Sequence, residues 1–157
     1  QKNFAMWLRT IIFIVINFAA LGIGGLFTSK GVPSQWYQNL NKAPWTPPGW
    51  MFGFAWTFIM ISFAFYMAYA WENIAKRNLL IILFAIQWVL NVAWNPVFFK
   101  YHEVTLGLVV IVSLTVLLGI FVFMFYNSMK YWTLLVLPYF IWLLIASSLN
   151  AYILFKN

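Results

Sequence analysis

The sequence predicts an all-α membrane protein, a bundle of five transmembrane helices with one longer loop between helices 1 and 2. The first observation is the placement of charge, because every Lys, Arg, Asp and Glu lies outside five apolar stretches. At a rise of about 1.5 Å per residue, roughly 20 residues cross a hydrocarbon layer of about 30 Å, and each stretch reaches that length. The stretches are Thr10–Ser29, Ala43–Trp71, Asn78–Phe99, Val104–Met129 and Tyr131–Phe155.

Composition is the second observation. The chain is 65% hydrophobic and only 7% charged, whereas about a quarter of the residues of a soluble domain are charged. Backbone groups in lipid must be paired within helices or a closed barrel, and barrel strands alternate apolar with polar residues. Runs such as LGLVVIV at 106–112 do not alternate. Helices are therefore predicted, and residues 1–157 are assigned to a single integral membrane domain.

The helices are expected at about 5–28, 46–72, 77–99, 103–129 and 131–155. Helix 2 is predicted to begin with Thr46 as N-cap and Pro47 in the first helical position, where a missing N–H costs nothing. The other connections are short, so consecutive helices are expected to be antiparallel neighbours. The loop at 29–45 contains Trp36 and Tyr37, and loops of this length are usually functional or disordered. Because aromatic residues argue against disorder, we interpret it as the lid of a pocket.

The basic residues suggest anchoring in a membrane. The net charge is +7, but the bases are scattered at predicted helix ends, where they contact lipid headgroups, so we expect no nucleic-acid partner. They do not settle the orientation by the positive-inside rule. The first apolar run is longer than the core of a signal peptide and is read as a retained helix. Since Gln1 is not an initiator, we expect a few residues to precede it. There is no Cys, which excludes disulfides and thiolate metal sites, and no metal site is predicted.

No ionisable side chain lies at membrane depth. Proton relays and ion-coupled transporters need such groups, a retinal Schiff base needs a mid-helix Lys, and a redox haem needs an axial ligand, whereas His102 lies in a turn. Aromatic and amide chemistry remains. Four of the ten tryptophans lie deep in the predicted helices, where an indole N–H requires a partner: Trp56, Trp88, Trp94 and Trp142.

Two predicted helices have a one-sided polar and aromatic stripe, with spacings that place the residues on one helical face. Pro96 and Pro138 are expected to free the carbonyls of Val92 and Leu134 within these helices. Such faces turn inward in a bundle, where they either form hydrogen bonds between helices or line a ligand cavity. Periodicity alone leaves both alternatives open. The stripes are Gln87, Asn91, Trp94 and Asn95 on helix 3, and Tyr139, Trp142, Ala146 and Asn150 on helix 5.

Three segments are rich in Trp, Pro and Asn: WYQNLNKAPWTPPGW at 36–50 followed by Trp56, LNVAWNPVFF at 90–99, and PYFIW at 138–142 followed by Asn150. Together they resemble the translocator protein family, also called TspO/MBR, tryptophan-rich sensory proteins or peripheral benzodiazepine receptors. One departure is Ala43-Pro44, where the family has Pro followed by a small residue. The resemblance covers the full length, and it supports the five predicted helices.

The resemblance implies a pocket beneath the first loop for porphyrins such as protoporphyrin IX or haem, for cholesterol, or for isoquinoline carboxamide drugs. No covalent cofactor is implied. The ligand-binding candidates from the loop, the stripes and the family pattern are Trp36, Tyr37, Trp45, Pro47, Trp50, Trp56, Gln87, Asn91, Trp94, Asn95, Tyr139, Trp142 and Ala146. A loose sterol-recognition pattern is matched by Leu149, Tyr152 and Lys156.

The resemblance also implies a homodimer in a membrane, more in keeping with a bacterial cell membrane than with the mitochondrial outer membrane. Two small-residue pairs could pack helices within one chain or between two chains. They are Gly49 with Gly53, and Ala20 with Gly24.

The leading hypothesis for function is a membrane protein that binds flat hydrophobic ligands, porphyrins above all, and handles, transports or senses them. One alternative, which the resemblance to bacterial members of the family implies, is light- and oxygen-dependent porphyrin breakdown that uses Trp56 and Trp142. Others are a porphyrin or cholesterol transporter and a membrane interaction scaffold.

Overall fold

The computed structural model describes residues 2–157, and over that range it contains helices and turns without strands. In chain order the elements are α1 (Lys2–Gly31), α2 (Gln35–Gln38), α3 (Gly49–Asn73), α4 (Arg77–Asn95), a π-helical segment (Pro96–Lys100), α5 (Val104–Met124), α6 (Tyr126–Met129), a 3-10 segment (Lys130–Leu135) and α7 (Leu137–Lys156). Five of them, α1, α3, α4, α5 and α7, are long and apolar enough to span a membrane, with the π-helical segment extending α4. The predicted all-α fold with five spanning helices is confirmed.

The five spanning helices form a ring. The packed neighbours, in order around it, are α1, α3, α7, α5 and α4, which returns to α1. The expectation that consecutive helices are neighbours holds for α4 with α5 and for α5 with α7. It is wrong for α3 and α4, which barely touch despite their short connection, because α1 packs against both of them. A ring of five leaves an interior that the helices surround.

Helix α3 begins later than predicted. The Thr46 hydroxyl donates to the carbonyl of Ala43 at 2.6 Å, so it is not an N-cap. Pro48 occupies the cap position in an extended conformation and the helix starts at Gly49. The physical reason lies in the two prolines: a residue that precedes a proline is driven out of the α region, which holds Pro47 extended.

The two helix-associated prolines act differently. Pro96 follows α4 directly and opens a π-helical turn in which the Tyr101 N–H donates to the Pro96 carbonyl at 3.0 Å. The predicted helix over 131–155 is wrong at its start, since α7 begins only at Leu137. Pro138 therefore lies in the first turn, where it is tolerated, and it does not interrupt a helix at Leu134.

The half of the bundle away from the first loop is solid. Aromatic side chains fill it, and Phe63, Tyr66 and Phe121 have no exposed surface. Two polar groups there are paired between helices. The Asn17 amide donates to the Met60 carbonyl at 3.0 Å, and the Trp88 indole donates to the Ile16 carbonyl at 2.9 Å. The Thr133 hydroxyl, by contrast, is buried without a partner. The two pairs are the interhelical hydrogen bonding that the sequence left as one alternative.

Two glycines of α1 differ in what surrounds them, and they supply a test of the packing. A methyl group on Gly31 would overlap the ring and Cβ of Phe99, whereas one on Gly22 would meet open space. We expect Gly31→Ala to lower the free energy of unfolding by about 1–3 kcal/mol through overpacking. Gly22→Ala should raise it by up to about 1 kcal/mol through helix propensity. Unfolding in mixed micelles titrated with SDS measures both, and equal shifts would contradict the close contact.

A cavity beneath the first loop

A cavity of about 660 Å³ lies in the half of the bundle on the side of the first loop. All five spanning helices and the loop contribute to its wall. Phe52 and Trp56 face it from α3, Trp94 from α4, Leu114 from α5 and Ala146 from α7. Its wall is mostly apolar with a few polar groups, which is the usual composition of a small-molecule site, and its volume lies within the usual range of about 300–1,000 Å³.

The loop covers the cavity and is held by aromatic contacts. Ser34 caps α2 by accepting from the Tyr37 N–H at 3.3 Å. Trp36 stacks on His102 with ring centroids 3.9 Å apart, and Tyr37 packs against Phe99 at 5.6 Å. Burial raises the pKa of the Tyr37 phenol above its ordinary value, so this hydroxyl stays neutral at physiological pH.

Hydrogen bonds also fasten the loop to the end of α7. The Asn41 N–H donates to the Asn157 side chain at 2.8 Å, and the Asn157 amide donates back to the Asn41 carbonyl at 3.0 Å. The Asn41 side chain donates to the Lys156 carbonyl at 3.1 Å. The loop is therefore fixed both to α7 and to the turn before α5.

Amide groups on the cavity wall divide into paired and unpaired ones. The Trp94 indole donates to Asn150 Oδ1 at 3.0 Å, and the Asn150 amide donates to the Val104 carbonyl at 3.0 Å. This chain joins α4, α7 and α5. The Asn95 carbonyl oxygen accepts from Thr28 at 2.9 Å. Within residues 2–157 the Asn91 side chain makes no hydrogen bond, and it lines the cavity, so its amide is available to a ligand.

The structure brings some of the predicted ligand-binding residues to the cavity and leaves others elsewhere. Those on the wall are Tyr37, Pro47, Trp56, Asn91, Trp94, Asn95 and Ala146, together with Leu149 from the sterol pattern. Those outside it are Trp36, Trp45, Trp50, Gln87, Tyr139 and Trp142, with Tyr152 and Lys156.

Gln87 and Tyr139 lie on the predicted faces but below the cavity. The Tyr139 hydroxyl donates to Gln87 Oε1 at 2.8 Å, and both side chains are buried. They connect α4 to α7 as interhelical hydrogen-bonding groups rather than as wall residues.

Trp142 lies on the far side of Trp56 from the cavity. It is 8% exposed and makes edge contacts with Phe52 at 5.6 Å and Trp56 at 6.4 Å. It lines instead a shallow apolar groove between α3 and α7 on the outer surface, which it shares with Trp50. Trp56 is therefore the only member of the proposed catalytic pair that faces the cavity.

The loop tryptophans and the sterol pattern are dispersed. Trp45 and Trp50 are 54% and 69% exposed, which suits the membrane interface. Trp45 donates to Ser148 at 3.0 Å and packs on Tyr152 at 5.6 Å. Lys156 is exposed at the end of α7. Leu149, Tyr152 and Lys156 thus face three different surroundings and do not converge on one site.

The sequence reasoning did not assign several wall residues. Phe98 and Phe99 lie on the wall because the π-helical turn after Pro96 changes which side chains face inward. Gly49 and Gly53 also line the cavity, and an added methyl group at either would meet nothing. They make room rather than pack helices within the chain, whereas Gly24 does contact Asn95. Lys42 is the one charged residue on the wall among residues 2–157, and the signal for it was its place in the loop motif.

Comparisons with known proteins agree over nearly the whole chain. The model of the TspO/MBR family matches residues 12–156. The chain is 36% identical to the "Tryptophan-rich protein TspO" of Chlorobaculum tepidum, over 92% of this chain and 90% of that protein. It is 33% identical to the protein of that name from Archaeoglobus fulgidus, over 91% and 94%. It is 26% identical to the "Translocator protein" of Sus scrofa, over 92% and 87%.

These matches and the five spans support an integral multi-pass membrane protein, in agreement with the predicted bacterial cell membrane. The higher identities to microbial than to mammalian relatives point the same way. The chain belongs to the TspO/MBR family.

Proposed function

We propose that the protein binds a flat hydrophobic ligand, a porphyrin such as protoporphyrin IX or haem above all, in the cavity beneath the first loop. The observation that carries the proposal is the cavity of about 660 Å³ with Trp56 and Trp94 on its wall. Aromatic rings offer offset and edge contacts to a planar guest, and burial of its apolar surface supplies most of the affinity. The Asn91 amide offers a hydrogen bond at the edge of the ligand.

The binding test compares Trp56 and Trp142, whose rings are in edge contact. Protoporphyrin IX is titrated into the protein in nanodiscs while its Soret absorbance is followed. Loss of the Trp56 ring in Trp56→Leu removes a direct contact of about 1.5 kcal/mol, which weakens binding about tenfold. Trp142→Leu removes a ring of the same size from behind the wall, and we expect a change of less than about threefold. A wild-type protein without saturable binding would contradict the proposal, and equal effects would contradict the position assigned to the ligand.

A second candidate is breakdown of the bound porphyrin with light and dioxygen. The edge contact between Trp56 and Trp142 favours it, because two adjacent indoles can lend an electron to a reactive intermediate of the ligand and take it back. Dioxygen, sensitised by the excited porphyrin, is the oxidant: its two atoms add across one carbon–carbon bond at a methine position, and that bond breaks as two carbonyl groups form. Illumination of the complex, with and without dioxygen, should bleach the Soret band faster than illumination of free porphyrin with an unrelated membrane protein. Equal rates would count against an activity of this protein.

We also propose that the protein is a homodimer in the membrane, as the family resemblance implies. Sterols remain a secondary ligand class, supported only by Leu149 on the cavity wall. Native mass spectrometry from nanodiscs reports the oligomeric state and any bound ligand. A monomer would contradict the proposed homodimer, and the absence of a bound lipid-like ligand would contradict sterol binding.

A further inference from the structure

The wall of the cavity contains one charge with no counterion. Of the two acidic residues in the chain, Glu72 forms an ion pair with Arg9 at the opposite end of the bundle. Glu103 is exposed in the turn before α5. Across residues 2–157 neither acid forms an ion pair with Lys42. The positive charge at the loop side of the cavity is therefore not neutralised by the protein.

Weak contacts hold the ammonium group of Lys42. It donates to the carbonyls of Gln38 and Leu40, both at 3.4 Å, which is beyond the usual range of N–H···O bonds. It also lies 4.8 Å from the centroid of the Tyr37 ring. Lysine has three donors that rotate freely. A carboxylate at the cavity would therefore form shorter and stronger bonds than the carbonyls do, since charge-assisted hydrogen bonds are about twice as strong as neutral ones.

Polar and apolar side chains line different parts of the cavity wall. Lys42 and the neutral Tyr37 phenol lie at the loop side, while Trp56, Leu114 and Leu143 line the deeper wall. A ligand with a flat apolar body and an acidic edge would place the body among the aromatic and aliphatic residues and the acid beside the ammonium. A neutral sterol offers only a hydroxyl oxygen, which forms a weaker hydrogen bond to an ammonium group than a carboxylate does.

We propose that the cavity selects planar apolar anions and that Lys42 binds a carboxylate on one edge of the ligand. The inference rests on the proposed function and refines it, because it assigns one residue of the wall to the acidic edge of the ligand. Lys42 acts here as a specificity residue.

The test uses one ring system with and without its charge. Protoporphyrin IX and its dimethyl ester are titrated separately into wild type, Lys42→Met and Lys30→Met in nanodiscs of zwitterionic lipid at low salt. Lys30 is an exposed base at the same side of the bundle, so it controls for the general loss of one positive charge. Wild type and Lys30→Met should bind the acid about tenfold more tightly than the ester. Lys42→Met should bind the acid and the ester with equal affinity.

Each result decides the question. If the preference for the acid survives in Lys42→Met, or is absent in wild type, the role of Lys42 is overturned. Lys42→Arg should keep the preference, and screening by 1 M salt should reduce it. If neither compound binds wild type saturably, the proposed function fails instead.

Discussion

Phenylalanine in place of Ala146 is expected to weaken protoporphyrin IX binding by about fivefold to 150-fold and to leave the unfolding transition almost unchanged. Ala146 lies on the cavity wall, and its small side chain leaves the volume that we assign to the ligand. A phenyl ring there would occupy that volume, and pushing it aside costs about 1–3 kcal/mol when the ligand enters. In the absence of ligand the ring has free space, so the fold bears little strain. Soret titration and thermal unfolding in nanodiscs measure the two effects.

Leu144→Phe is the matched control for this substitution. Leu144 lies on the same helix and is 50% exposed on the outer surface, so a larger ring there contacts lipid. We expect porphyrin affinity to remain within about twofold of wild type, a difference of less than 0.5 kcal/mol. If the two variants weakened binding equally, the ligand would not lie against α7 in the cavity.

Leucine in place of Asn150 is expected to destabilise the bundle by about 2 kcal/mol. Asn150 accepts from the Trp94 indole and donates to the Val104 carbonyl, both at 3.0 Å. Its removal leaves the Trp94 indole N–H without a partner and takes one donor from the Val104 carbonyl, at about 1–3 kcal/mol for a buried group and somewhat less in membranes. The free energy of unfolding in mixed micelles titrated with SDS measures the loss.

Asn91→Leu serves as the control because it is the same change on the same cavity wall. Within residues 2–157 the Asn91 amide makes no hydrogen bond, so its removal should alter stability by less than about 0.5 kcal/mol. It should instead alter ligand affinity, since this amide faces the cavity. A stability loss as large as that of Asn150→Leu would show that Asn91 has a structural partner, and would remove it from the binding site.

The helices were predictable because the hydrocarbon layer disfavours a charged side chain at every position within it. A charge such as Lys130 cannot lie at depth without high cost, so charges mark where spans end, and the five spans follow. Turns obey local steric effects that hydropathy does not report. The prolines at 47 and 48 delay α3. Lys130, with a positive φ of 52°, begins a 3-10 segment that ends at Leu135, where a helix from residue 131 was expected.

The sequence predicted which helix faces point into the bundle, but it did not predict how far along those helices the cavity extends. Helical periodicity correctly placed Asn91, Trp94 and Asn95 on an inward face, and all three line the cavity. Gln87 belongs to the same face one turn deeper, where the interior is solid and Tyr139 pairs with it. Periodicity fixes which way a side chain points, whereas packing from all five helices fixes where the void ends.

The packed aromatic half of the bundle closes the cavity at the end away from the first loop. Phe63, Tyr66 and Phe121 have no exposed surface in that half, so the cavity does not continue through the bundle. A ligand leaves by the side through which it entered, unless the helices rearrange enough to displace those three rings. Net passage from one leaflet to the other would therefore require a second conformation with the base open.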